Sequence, residues 1–462
     1  MWPWPGGVES AGRWRRRILR LSPAALLVSS YLAGMMVGTL LLKMPWATRA
    51  GIAWTDALFT ATSALCVTGL TVVDTGTFFT TAGQVVILCL IQIGGLGIMT
   101  FAVFILFSAG WRLSTQQRFC IQDSFSTDAS SDLRRLVFFV VWFAAVAELA
   151  GSAALALCLK DLDLGQRLYF GLFHAVSAFC NAGFGLYPDS LARYYDDWLL
   201  NFTVAGLIIL GGLGFPVLFE VTSWLRQRKR PRFSLHTRLA LLSSGVLIGA
   251  GGVAFWALEH RNCLAGMPLS VQLLVSFFQS VTPRTAGFAT VEFARLSNAT
   301  LMVIVILMFI GASPGSTGGG VKTTSFAVLV GLLWNRVKGS SYNNMMNCTV
   351  PEATVGRAVT VFILSINAIV IALCLLLVTQ SEAVPCEQSR GLFLEYLFET
   401  VSAFGTVGLS MGKTAQLNAA GKLILTAMMF TGRVGILTLA YVFSSRESRV
   451  VYRYAEETVM IG

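Results

Sequence analysis

Charge is scarce in this chain. Of 462 residues only 12% are Asp, Glu, Lys or Arg, about half the roughly 25% of a typical soluble domain. Histidine is scarcer still: His174, His236 and His260 lie far apart, without the spacing that brings ligands to one metal. The nine cysteines form no CxxC pair. Cys89, Cys158 and Cys374 sit inside apolar runs, where the thiol is a small hydrophobe. Cys263 and Cys386 fall in polar connections, but a bridge between them is not expected. These shortages exclude an ordinary soluble protein and give no support to a metalloenzyme or any other enzyme with an assembled polar site.

What is abundant is apolar sequence, at 55% of residues with a mean hydropathy of +0.69. Runs of twenty or more, such as Ser22 to Leu42, Ala82 to Phe107 and Thr354 to Val378, reach about 30 Å as helices, the thickness of a bilayer core. The first run exceeds a signal-peptide core and is expected to remain in the mature protein. Eight spans are predicted, near 22–42, 82–107, 134–158, 199–224, 238–258, 299–334, 354–379 and 421–444. Segments 55–65, 168–180, 270–281 and 391–403 lie between successive members of each pair. At about a dozen residues, roughly 18 Å, they cannot cross a bilayer and are predicted to enter and turn back.

The short segments end in related strings: TSALCVTGL from Thr62, VSAFCNAGF from Val176, VTPRTAGF from Val281 and VSAFGTVGL from Val401. The chain therefore reads as four units, each a span, a re-entrant helix, a glycine turn and a span. A second echo follows 24 to 28 residues later: IGGLGIMTF, LGGLGFPVL, IGASPGSTG and TGRVGILTL, aligned on Gly94, Gly211, Gly311 and Gly432. The third unit replaces the pattern with five glycines and a proline between Gly311 and Gly320, which should break that helix alone in mid-membrane. The fourth carries Arg433 where the first two have Gly95 and Gly212.

With the amino terminus inside, 21 of the 34 Lys and Arg residues fall in cytoplasmic connections and ten in external ones; Arg284, Lys322 and Arg433 lie in the apolar region. The net charge of +11 then records topology, with both termini cytoplasmic. No soluble basic domain is present, so nucleic acid is not an expected partner.

Four re-entrant turns about one axis describe a pore, because irregular backbone at membrane depth must be buried in protein or line a wet cavity. Glycine allows successive carbonyls to point one way, and a ring of carbonyls can replace the hydration shell of an alkali cation. The short helices would aim their negative carboxyl ends at the cavity. The strings contain no Asp, Glu or His, so coordination would fall to the backbone. The competing reading is that these glycines serve close helix packing.

SALCVTGLTVVD, FHAVSAFCNAGF, FQSVTPRTAGF and FETVSAFGTVGL resemble the four selectivity-filter regions of the Trk/Ktr/HKT superfamily of potassium transporters, over essentially the whole chain. Eight spans without two additional amino-terminal ones, and an ETVMIG ending, are similar to the Ktr-type membrane subunit. The resemblance implies an all-α membrane protein: eight transmembrane helices and four re-entrant pore helices, in pseudo-fourfold M1-P-M2 repeats about one pore. The repeats are 1–110, 111–232, 233–350 and 351–462. The implied filter is Val67, Thr68 and Gly69; Asn181, Ala182 and Gly183; Thr285, Ala286 and Gly287; and Thr406, Val407 and Gly408. Glycine at all four filter positions implies K+ as the transported ion.

The resemblance also implies a mobile intramembrane gate under the filter, made of Gly311, Ser313, Pro314, Gly315, Ser316, Thr317, Gly318, Gly319, Gly320 and Lys322, with Arg433 as the charge that narrows the pore. A fixed kink and a plain ion pair are the blander alternatives. The third string is one residue shorter than the others, and Arg284 within it is expected to buttress the filter from behind. GSTGGGVKTT misses the Walker A pattern, because Val321 intervenes before Lys322 and the string lies in an apolar span.

The implied partners are a second copy of the chain and a cytoplasmic ring of nucleotide-binding regulatory subunits of the KtrA type. Nucleotide would act only through that ring, with Na+ as an activator. RQRKRPRF, from Arg226 to Phe233, suits that partner or anionic membrane lipid equally. Glu148 and Glu220 are expected to be structural, Glu220 by snorkelling, and His174 to be a hydrogen-bonded packing residue. An alternating-access cation symporter is the alternative function; it would show inverted repeats and broken helices in paired positions.

Overall fold

The computed structural model describes residues 23–97, 100, 133–226, 233–380 and 386–443. The amino-terminal basic segment, most of 98–132, the interior of the Arg226–Phe233 run and the carboxyl tail lie outside them. The described chain is helical apart from a two-residue hairpin, β1 (Asn344–Met345) and β2 (Cys348–Thr349), paired antiparallel.

Four helices are long and apolar enough to cross a membrane: α1 (Pro23–Lys43), α4 (Leu133–Cys158), α8 (Leu235–Glu259) and α12 (Glu352–Gln380). Large apolar side chains such as Trp142, Leu149, Val253 and Val370 stand exposed on them, the surface expected of a face turned to lipid rather than water. Each of the four long helices precedes a shorter one: α2 (Trp54–Leu65), α5 (Leu164–Phe179), α9 (Leu269–Val281) and α13 (Cys386–Gly405). Toward their carboxyl ends these become buried, as in Ala61–Leu65 and Phe173–Phe179, so they point those ends into the centre of the molecule.

A third helix follows in each unit: α3 (Thr81–Leu96), α6 (Trp198–Gly212), α10 (Asn298–Phe309) and α14 (Ala419–Val434). All four start on a side-chain cap. Thr80, Asp197, Ser297 and Asn418 accept from the backbone N–H groups of Gly83, Leu200, Thr300 and Gly421 at 3.2, 3.1, 3.3 and 2.8 Å. Such caps are worth about 1 kcal/mol each.

Their far ends differ from the sequence expectation. Only the third unit was expected to break, and there α10 does stop before α11 (Thr323–Val337). The second and fourth units break as well, bending by 102° into α7 (Phe215–Arg226) and by 95° into α15 (Ile436–Phe443). In the first unit α3 ends at Gly97. The cause is the last glycine of each motif: Gly97, Gly214 and Gly435 have φ of 84°, 95° and 93°, which a continuing right-handed helix cannot contain. Counting each bent pair as one gives up to six spans among the described residues; of the eight expected, 82–107 runs partly outside those residues and 299–334 is divided between α10 and α11. Helix α13 is also longer than a dozen residues, at 20.

Candidate functional site

The four strings leave their helices with the same backbone turn. Two positions before each glycine stands a non-glycine residue in the left-handed region: Val67 (φ 57°), Asn181 (58°), Thr285 (69°) and Thr406 (50°). The glycines follow with φ of 90°, 68°, 77° and 90°. Left-handed backbone at β-branched Val67, Thr285 and Thr406 is strained, costing about 1–3 kcal/mol each, and recurrence of such strain is characteristic of functional sites.

Hydrogen bonding gives the strain a direction. Thr68, Ala182 and Val407 donate their N–H groups back to the carbonyls of Ser63, Ser177 and Ser402 at 2.8, 2.7 and 2.9 Å. In the shortened third string Ala286 donates to Thr282, one residue closer, at 3.0 Å. Gly69 and Gly408 donate to the hydroxyls of Ser63 and Ser402, both at 3.1 Å. The amides are thus turned to the short helices.

The carbonyls of the same residues lie against the neighbouring strings. A methyl group placed on Gly69 would strike the Ala182 oxygen, one on Gly183 the Ala286 oxygen, one on Gly287 the Val407 oxygen, and one on Gly408 the Thr68 oxygen. The contacts run first to second, second to third, third to fourth and fourth to first. The ring closes in chain order.

On one side of the ring is a cavity of about 230 Å³ bordered by all four glycines, with Asp74, Tyr187 and Ser410 among its lining. Burial and the Tyr194 hydroxyl push the Tyr187 phenol above its ordinary pKa. On the other side lies the Gly311–Gly320 segment. Its ends are pinned together by the Ile310–Val321 bridge, by Gly311 N–H donating to Val321 at 2.9 Å, and by the Ser313 and Thr323 hydroxyls at 3.0 Å. Gly319 donates to the Thr406 hydroxyl at 3.1 Å. A methyl on Gly318 would strike the Thr285 hydroxyl, so the segment presses on the underside of the ring.

The broken helices supply what holds it there. A helix end leaves its last four carbonyls without partners inside the helix. Gly211 and Gly212, closing α6, accept from Thr317 and Ser313 N–H at 3.2 and 3.0 Å. Gly432, near the end of α14, accepts from Gly320 N–H at 3.3 Å. Beyond the bend, Phe215 N–H donates to the Gly315 carbonyl at 2.9 Å. Pro314 stands against Gly214, where an added methyl would strike its carbonyl.

Carbonyls in the last turn of α3 accept from Arg433. Its guanidinium donates to Gly94, to Gly95 at 3.4 Å, to the Thr317 carbonyl and to the Tyr31 hydroxyl at 3.3 Å. A cation at helix-terminal carbonyls is the favourable pairing. No carboxylate takes part, so the ion-pair alternative for Arg433 finds no support among the described residues. Lys322 folds back to donate to the Gly318 carbonyl at 2.7 Å, and Thr317 donates to the Phe179 carbonyl at 3.3 Å. Among the described residues the Ser316 hydroxyl has no partner.

Arg284 is 6% exposed and donates to the Ser244 hydroxyl of α8 at 2.9 Å, away from the ring axis. Glu148 accepts from Gln92 at 3.1 and 3.2 Å. Glu220 accepts from Ser234 N–H and Oγ at 2.6 and 2.7 Å and from Thr237, closing the amino end of α8. His174 is a packing residue whose Nδ1 pairs with the Phe170 carbonyl at 2.8 Å while Nε2 accepts from Leu186 N–H at 3.3 Å. Residues missed from sequence are Ser63 and Ser402, Tyr31, and the carbonyls of Gly94, Gly211 and Gly432. The serines had a signal, since each stands six places before its glycine in two aligned strings.

Known proteins resemble this chain in sequence and fold. The pattern of the TrkH family, described as cation transport protein, matches residues 27–453. The chain is 39% identical over 441 residues to the Ktr system potassium uptake protein B of Vibrio alginolyticus, covering 95% of this chain and 94% of the relative. It is 37% identical over 451 residues to the potassium/sodium uptake protein NtpJ of Enterococcus hirae, covering 96% and 98%. The crystal structure of the potassium transporter TrkH from Vibrio parahaemolyticus has the same fold, with a TM-score of 0.71 at 19% identity over 92% of this chain and 85% of that one. Fold, full-length sequence similarity and family pattern agree: the chain belongs to the TrkH family of cation transport proteins and is a membrane transporter, not an enzyme.

Proposed function

We propose that the chain is the ion-translocating membrane subunit of a potassium uptake system of the Ktr/Trk kind. Dehydrated K+ passes single file through the Val67–Gly69, Asn181–Gly183, Thr285–Gly287 and Thr406–Gly408 strings. The observation that carries this reading is the closure of the four strings in chain order, each with amides turned out and a carbonyl against its neighbour. Carbonyl rings without charged side chains suit a monovalent alkali cation. The names of the Vibrio and Enterococcus relatives, for potassium and for potassium/sodium uptake, support the same ion class.

In this reading residues 311–320 with Lys322 and Arg433 are the gate, described here pressed against the ring. The rest of the architecture belongs to the proposal too: eight crossings in four repeats bounded at 110, 232 and 350, both termini in the cytoplasm of a plasma-membrane protein, and a homodimer. A cytoplasmic nucleotide-binding ring would move the gate, with Na+ as activator. The name of the Vibrio alginolyticus relative, protein B of a Ktr system, favours a separate regulatory subunit.

The bends at Gly214 and Gly435 favour one competitor, an alternating-access symporter, since broken helices in more than one unit are a carrier trait. Flux from purified protein in liposomes separates the two: a pore gives K+ flux far above carrier turnover with no stoichiometric Na+ movement. Gly69→Ser should lower the K+ over Na+ preference by about tenfold, a change of roughly 1.4 kcal/mol. Unaltered selectivity in that variant would remove the filter assignment.

A further inference from the structure

Away from the ring, a second and larger cavity of about 460 Å³ lies between α8, α11 and α12, with Pro314 and Lys322 in its wall. Leu239, Val328 and Val361 make its apolar lining. Its titratable residues are His236, Lys322 and Arg357, all of the basic type, and no Asp or Glu borders it. Arg357 makes no hydrogen bond or ion pair among the described residues, whereas Lys322 is committed to Gly318.

The position of Arg357 matters. Helix α12 has 29 residues, about 43 Å, which exceeds a 30 Å hydrocarbon core by roughly 13 Å. Arg357, in the second turn from its amino end, therefore falls near the boundary between headgroups and acyl chains. Along α8 the lining stripe of Leu235 and Leu239 continues on the same face as exposed Leu242, Val246 and Val253, so the cavity rim continues into a lipid-facing surface. A molecule can arrive sideways from the bilayer without entering water.

We infer that this groove is a binding site for an anionic glycerophospholipid, its phosphate at Arg357 and His236 and an acyl chain along Leu239 and Val361 toward Pro314. The uncommitted positive charge of Arg357 over an apolar trough favours an anionic amphiphile over a zwitterionic lipid or a polar solute. Because Pro314 and Lys322 form part of the wall, an occupied groove props the Gly311–Gly320 segment. Only that consequence rests on reading the segment as a gate; the site itself does not.

Native mass spectrometry of the full chain, extracted from vesicles of equal phosphatidylglycerol and phosphatidylcholine, tests the site. Phosphatidylglycerol should be retained preferentially, and Arg357→Gln should lower retention roughly fivefold, the effect of one basic group at a membrane surface. Arg357→Lys should restore it. Thr354→Trp, which fills the groove from an exposed position and leaves every charge in place, should also abolish it. Retention unchanged in both Arg357→Gln and Thr354→Trp, or displacement of the lipid by excess inorganic phosphate, would overturn the proposal. Potassium flux from the same preparations, with and without phosphatidylglycerol, separately tests the link to the 311–320 segment.

Discussion

At the residue scale Arg433 carries the most consequence. A guanidinium in the apolar region costs about 2.5–3.5 kcal/mol on insertion scales, and here it is offset by carbonyls from α3 and from the 311–320 segment. Hydrogen bonds to a charged group contribute about 1.5–3 kcal/mol each, so loss of one is worth tenfold or more in a conformational equilibrium. Arg433→Ala should therefore raise resting K+ leak in liposomes, without any partner, by at least about tenfold; wild-type leak would detach the residue from gating. The importance of Arg433 was legible because a lone charge in an apolar helix stands out in any reading. Its partners were not: three are main-chain oxygens, which leave no side-chain signature, and the fourth is the Tyr31 hydroxyl, 402 positions away. The partners of Glu220 left no signal for a related reason: Ser234 and Thr237 stand 14 and 17 positions on, past a run of basic residues.

At the scale of elements, the glycine strings were readable because left-handed backbone and close approach of a neighbour both demand the absence of a side chain, and four spaced copies expose the demand. The bends were not. Gly211 and Gly214 look alike in an apolar helix, yet the first packs against the Phe179 carbonyl inside the helix and the second ends it. Only the sign of φ separates them. At Gly435, φ of 93° and ψ of 128° lie in a region open essentially to glycine, so Gly435→Ala should cost about 1–3 kcal/mol in this conformation. If that helix straightens when the segment withdraws, the variant shifts the equilibrium toward flux. Higher basal K+ flux than wild type is the expected result, together with faster exchange of the Gly432 and Gly320 amides. Flux equal to wild type would show that the bend persists in the conducting form.

For the whole molecule, closure in chain order makes the first and fourth strings neighbours although Gly69 and Gly408 stand 339 positions apart. Lys422 of α14 reaches Asp56 at the start of α2 across that seam, at 2.7 Å with both side chains largely covered. A double-mutant cycle on Asp56→Asn and Lys422→Gln, read by thermal unfolding in detergent, should give a coupling of about 0.5–3 kcal/mol; additivity would mean the seam is held by packing alone. The segment beneath the ring is held by a different kind of bond. Its N–H groups meet the Gly211, Gly212 and Gly432 carbonyls, and its Gly315 carbonyl meets the Phe215 N–H. Every one of these partners is main chain. Beyond Ser313, Thr317 and Lys322, whose side chains make hydrogen bonds of their own, the residues along it are free to vary so long as glycine stays where backbone crowds it. Adding or deleting a single residue anywhere from 310 to 322 would move all of the donors off their acceptors at once. The spacing of this stretch is under tighter constraint than its spelling.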